Sequence, residues 1–122
     1  MGYRIKMRDD GILHTSFHGD VTTEEMEAFR REFLVYLNAA TEEEPLLVIS
    51  ESPGLTKFSA GARRILVELQ RSPRLGNSAV VGASRYSRVL TTFVLKATGR
   101  NNIRFFDTIE EAAAWLKEGK QE

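Results

Sequence analysis

Cysteine is absent from this chain, which excludes disulfide staples, thiolate metal sites and a cysteine nucleophile, and fits a reducing cytoplasmic setting. Net charge is missing as well. Seventeen basic and seventeen acidic side chains balance, so no overall field draws the molecule to nucleic acid or to an anionic membrane. The longest apolar runs are four or five residues, far below the roughly 20 that a membrane span needs. The start Met1-Gly2-Tyr3-Arg4 has no signal-peptide core, so the expectation is a soluble cytoplasmic protein without membrane insertion. Glycine-rich phosphate loops and the Gly-x-Ser-x-Gly and Ser-x-x-Lys contexts of serine nucleophiles are also lacking. Length does permit a core: 122 residues make one domain, taken here as 1–122, large enough to fold without staples.

What is present is organised around Leu46-Leu47-Val48-Ile49, an unbroken apolar run between polar punctuation that predicts a strand buried on both faces. Before it, Tyr3, Ile5 and Met7 alternate with Arg4, Lys6 and Arg8. Asp9-Asp10-Gly11 then supplies a turn into a second strand from Ile12 to His18, completing a hairpin with one polar, basic face. Thr22 and Glu25 form a capping box, and Met26, Phe29, Phe33, Leu37 and Ala40 make the buried stripe of a long helix. After the central strand, Ser59 caps a helix that buries Ala62, Ile65, Leu66 and Leu69, and Ser72-Pro73-Arg74 ends it. Ala79–Ala83 reads as a short strand, and Ser84 opens a third helix with Tyr86, Val89, Leu90, Phe93, Val94 and Ala97 on its inner face. Gly99 stops that helix. Ile103–Phe106 is the last strand, and Thr108 with Glu111 caps a final helix through Leu116, ahead of a frayed tail from Glu118. The expected order is β-β-α-β-α-β-α-β-α, an α/β domain whose later strands follow right-handed crossovers.

This order, with Ala79-Val80-Val81-Gly82-Ala83, Phe93-Val94-Leu95-Lys96-Ala97-Thr98-Gly99-Arg100, and Phe105-Phe106-Asp107-Thr108 followed by Glu111-Ala112 and Trp115-Leu116, resembles the SpoIIAA-like fold of STAS domains. Small bacterial STAS-like proteins are the nearest likeness. The resemblance implies a module of bacterial regulation that holds a protein partner rather than an enzyme. Antagonists of anti-sigma factors carry a phosphorylated serine after an acidic residue at the start of the helix that follows the central strand. Here Ser59 lies near that position with Phe58 before it, so the resemblance offers a regulatory role for Ser59 beside its capping role.

His14 and His18, four positions apart on one strand, stand about 13 Å apart along it. Two ligands of one zinc must each come within about 2.1 Å of the ion, so no metal site is expected. No cofactor is implied either. Residues 1–44 hold ten acidic groups (Asp9, Asp10, Asp20, Glu24, Glu25, Glu27, Glu32, Glu42, Glu43, Glu44) against five basic ones (Arg4, Lys6, Arg8, Arg30, Arg31). The segment from Leu55 to Arg104 reverses this, with Lys57, Arg63, Arg64, Arg71, Arg74, Arg85, Arg88, Lys96, Arg100 and Arg104 against Glu68 alone. Arg85, Arg88 and Lys96 share an exposed face of the third helix, and its N-terminus near Ser84 adds partial positive charge, so an anion would bind there, while the plainer expectation pairs the arginines with the acidic first helix and tail. Interleaved exposed aromatics are not found, so nucleic acid is not expected. Leu34, Val35 and Leu95 lie off the buried stripes and suggest a homodimer interface. The reading is a non-catalytic interaction module with an unidentified protein partner; the alternative is a small-molecule or lipid-binding domain with its ligand between sheet and helices.

Overall fold

The apolar run at residues 46–49 becomes the centre of the sheet because its side chains serve two cores at once. Leu46 and Val48 join a cluster with Phe29, Phe33, Phe58 and Leu69, while Leu47 and Ile49 join another with Ala112 and Leu116. The structure, a computed structural model, describes residues 2–120. Its elements are β1 (Tyr3–Met7), β2 (Leu13–Phe17), β3 (Gly19–Val21), α1 (Thr23–Ala39), β4 (Leu46–Glu51), β5 (Leu55–Phe58), α2 (Ala60–Gln70), β6 (Leu75–Val81), α3 (Arg85–Thr98), β7 (Ile103–Phe106) and α4 (Ile109–Lys120). Five strands form one sheet in the order β1-β2-β4-β6-β7. Only β1 and β2 are antiparallel, as a hairpin requires; every other pair in that sheet is parallel and joined through helices.

The hairpin turn is built as the Asp-Asp-Gly sequence demands. Gly11 takes a positive φ of 82°, and the Asp10 carboxylate accepts from the amide of Ile12 at 3.2 Å. The capping box of α1 forms, with Thr22 Oγ1 accepting from the amide of Glu25 at 3.1 Å. Met26, Phe29, Phe33 and Leu37 of α1 are buried. At the far end, Thr108 Oγ1 accepts from the amide of Glu111 at 3.2 Å, and α4 runs on to Lys120 rather than stopping at Leu116. Of the tail expected to fray, residues 121 and 122 lie outside the described residues.

Three features differ from the sequence reading. First, β3 and β5 were not anticipated. They pair in parallel as a two-stranded ribbon beside the main sheet and bring Val21 next to Phe58. Strands of three and four residues carry too little alternation to register, and this pair is defined by each other. Second, β6 begins at Leu75, four residues before the apolar run, because Leu75 pairs with Leu46 and Asn102 holds the Gly76 carbonyl at 2.8 Å. Third, α3 is rotated. It buries Ser87, Leu90, Thr91 and Val94, leaving Val89 at 62% and Phe93 at 47% exposure and Ala97 exposed. Hydrophobicity alone centres the stripe on Val89 and Phe93. The true inner face is part hydroxyl.

Candidate functional site

α3 is held by its N-terminus. Ser84 caps it by accepting from the amide of Ser87 at 3.2 Å, and Tyr86 Oη accepts from the amide of Phe58 at 2.8 Å, tying the helix to β5. Gly99, at a φ of 71°, closes the helix with its amide on the carbonyl of Leu95. Between these ends the outer face runs Arg85, Val89, Phe93 and Lys96, one turn apart, with Arg88 beside them. All five side chains are exposed. The guanidinium of Arg88 lies 4.6 Å from the ring centre of half-buried Phe105 on β7, which extends the patch over the neighbouring strand. Arg85, Arg88 and Lys96 therefore meet on one face as the sequence indicated. They frame exposed hydrocarbon that the sequence reading had placed inside.

The other cations of this basic segment are mostly occupied elsewhere, though seldom by the acidic groups expected to receive them. Arg100 donates to the carbonyls of Gln70, Ser72 and Leu75 at 2.8, 3.1 and 2.7 Å, closing the C-terminus of α2. Arg71 reaches the Ala97 carbonyl of α3 at 3.0 Å, and Arg74 the Asn38 carbonyl of α1 at 3.4 Å. Three helix C-termini are thus met by arginines, where charge and orphan carbonyls complement each other. Arg63 donates to the Phe58 carbonyl, and Arg104 lies over Trp115. By contrast, Arg85 and Lys96 make no side-chain hydrogen bond or ion pair among the described residues.

Ser59 sits where two helix starts converge. Its Oγ accepts from the amide of Ala62 at 3.0 Å and shares a hydrogen bond of 2.8 Å with Thr23 Oγ1. Gly61 allows this approach, since a side chain there would collide with Thr23. The hydroxyl is half-buried and doubly engaged, and the preceding Phe58 is a core residue at 1% exposure. His14 Nε2 lies 3.3 Å from Glu51 Oε1, and no cluster of three metal-ligating side chains occurs among the described residues. Leu34 and Leu95 are half-buried, and Leu34 packs on the core; of the three expected interface residues, Val35 alone is fully exposed, at 68%.

The alternative expectation of a ligand between sheet and helices named no lining residues, and the structure supplies them. A cavity of about 100 Å³ lies between the sheet and α1, α2 and α3, lined mainly by hydrocarbon but also by Thr15, Ser50, Ser52, Gln70, Ser78, Ser87 and Thr91. It depends on which strands lie side by side, which no local pattern encodes.

The SpoIIAA-like family model matches residues 12–117. Among solved structures, an uncharacterized DUF3478-family protein with a SpoIIAA-like fold from Shewanella loihica PV-4 superposes with a TM-score of 0.76 at 20% identity, over 94% of each chain. The anti-sigma factor antagonist SpoIIAA in its unphosphorylated form gives 0.66 at 15% identity, over 96% of this chain and 98% of its own. SLC26A9 gives 0.61 at 12% identity; the match covers 91% of this chain and 20% of that much longer one. No curated protein matches the chain by sequence.

Proposed function

The chain belongs to the SpoIIAA-like family, and from that premise we propose that it is a non-catalytic docking module of bacterial regulation whose contact face is the outer side of α3. The observation that carries this reading is the pair Val89 and Phe93, exposed on a helix of a folded domain and bracketed by Arg85, Arg88 and Lys96. Exposed apolar groups rimmed by one sign of charge mark contact surfaces, and the charge here calls for an acidic segment of a protein partner. The relative SpoIIAA is an anti-sigma factor antagonist, which favours a regulatory setting. The reading carries with it a cytoplasmic location; no helix among the described residues is long and apolar enough to cross a membrane.

Affinity capture from the native cell tests the proposal. The wild-type chain, a Val89→Ser/Phe93→Ser variant and a Val35→Ser control are compared, with captured proteins quantified. An acidic protein held by wild type and control but lost from the double variant supports the reading. The same proteins on all three variants, or phospholipid in place of protein, contradicts it.

A second reading, ligand carriage between sheet and helices, is favoured by the cavity beneath α3.

A further inference from the structure

Two rows of side chains cross the inward face of the sheet beneath the helices. One runs Leu13, Val48, Ser78, Ile103, and the next Thr15, Ser50, Val80, Phe105. Hydroxyls thus stand in the middle of a hydrocarbon floor. From above, α3 contributes Ser87 and Thr91, alternating with Leu90 and Val94, to the same cavity. Ser87 shares its hydroxyl with the Ser84 cap. Ser78 is different. It is 4% exposed, it lines the cavity, and its Oγ has no hydrogen-bond partner among the described residues. Burying a hydroxyl without a partner is unfavourable, and alanine would fill a parallel strand at this point without that cost.

Resting on the ligand-carriage reading, we propose that this cavity takes a small neutral molecule with an apolar body and one hydrogen-bonding group, anchored on Ser78 Oγ. Neutrality follows from the lining: no Lys, Arg, His, Asp or Glu borders the cavity, so a carboxylate or an ammonium would be buried without a counter-charge. The hydrogen-bonding group follows from the buried, unmatched hydroxyl of Ser78. Size follows from volume, since 100 Å³ falls below the roughly 150 Å³ cavity that admits benzene. The ligand class is therefore an alcohol or ketone smaller than benzene.

Titrations of the full chain followed by methyl NMR test this, using 2-propanol, propane and propanoate as probes and Val80, Leu90, Val94 and Ile103 as reporters. Wild type should show saturable shifts with 2-propanol and none with the carboxylate. Ser78→Ala should fold at least as stably, retain propane binding and bind 2-propanol at least five-fold more weakly. No saturable shift with any probe overturns both the carriage reading and this inference. Saturation by the carboxylate, or equal 2-propanol affinity in Ser78→Ala, leaves carriage standing and overturns the neutral, Ser78-anchored ligand; in the second case the hydroxyl is met by water only.

Discussion

Asp10 joins the hairpin turn to the last helix through one carboxylate, which takes Arg8 at 2.9 and 3.1 Å and Lys117 at 3.2 Å. Burial by itself would raise its pKa, but the hydrogen bonds from Arg8, the Ile12 amide and Lys117 outweigh that and hold it at about 2. A depressed acid stabilises the fold above its unfolded pKa of about 4, and that contribution disappears as pH falls through the folded value. Urea unfolding of wild type should therefore lose on the order of 1–2 kcal/mol from this group between about pH 4 and pH 2. Asp10→Asn should flatten that part of the profile, and an unchanged slope would remove Asp10 from the account. Ser59 makes a second test at this scale. Ser59→Ala should cost about 0.5–2 kcal/mol, while Ser59→Asp, which caps about as well, should keep α2 intact by circular dichroism. Because the hydroxyl is shared with Thr23 and the Ala62 amide, incubation with serine kinases should leave it unmodified; stoichiometric phosphate at Ser59 would show that the cap opens.

Element by element, legibility follows how local the causes are. α1 could be read because its capping box and its Met26-Phe29-Phe33-Leu37 stripe both lie within one segment, and the central strand because four consecutive apolar residues fit no half-exposed element. The orientation of α3 could not. Its inner face pairs Leu90 and Val94 with Ser87 and Thr91, and small hydroxyls look like surface until the hydroxyl-bearing sheet beneath them is known. The basic segment was legible as charge and misleading as to purpose. Arg100 shows why, since its guanidinium meets three carbonyls between the end of α2 and the start of β6 rather than a carboxylate. Replacing it by alanine leaves those carbonyls short of donors and should cost about 2–3 kcal/mol, by analogy with other charge-assisted hydrogen bonds. Arg85→Ala, with no partner to lose, should stay within about 0.5 kcal/mol. Equal losses in urea titrations would mean that Arg100 is not the closure of α2.

Taken as a whole, the molecule places three helices on one face of its sheet and α4 on the other. Of the dimer patch expected from Leu34, Val35 and Leu95, Val35 is exposed and the other two are half-buried by their own domain. Leu34→Lys should accordingly destabilise the monomer by about 1–2 kcal/mol instead of separating two copies. A homodimer, kept as a proposal, would use the outer face of α1 around Val35; light scattering should then give a dimeric mass that Val35→Lys halves, and a monomeric mass up to about tens of micromolar would end it. Self-association through α3 is disfavoured, since a two-fold contact there would set Arg85, Arg88 and Lys96 against their own copies. That face is the one proposed to hold an acidic partner. Its most direct test is a photo-crosslinking phenylalanine analogue placed at Phe93 in the native cell, beside the same substitution at Val35. A discrete adduct with an acidic protein from the Phe93 position, competed by salt, is the predicted result; no protein adduct from Phe93, or adducts indistinguishable from those at Val35, would contradict it.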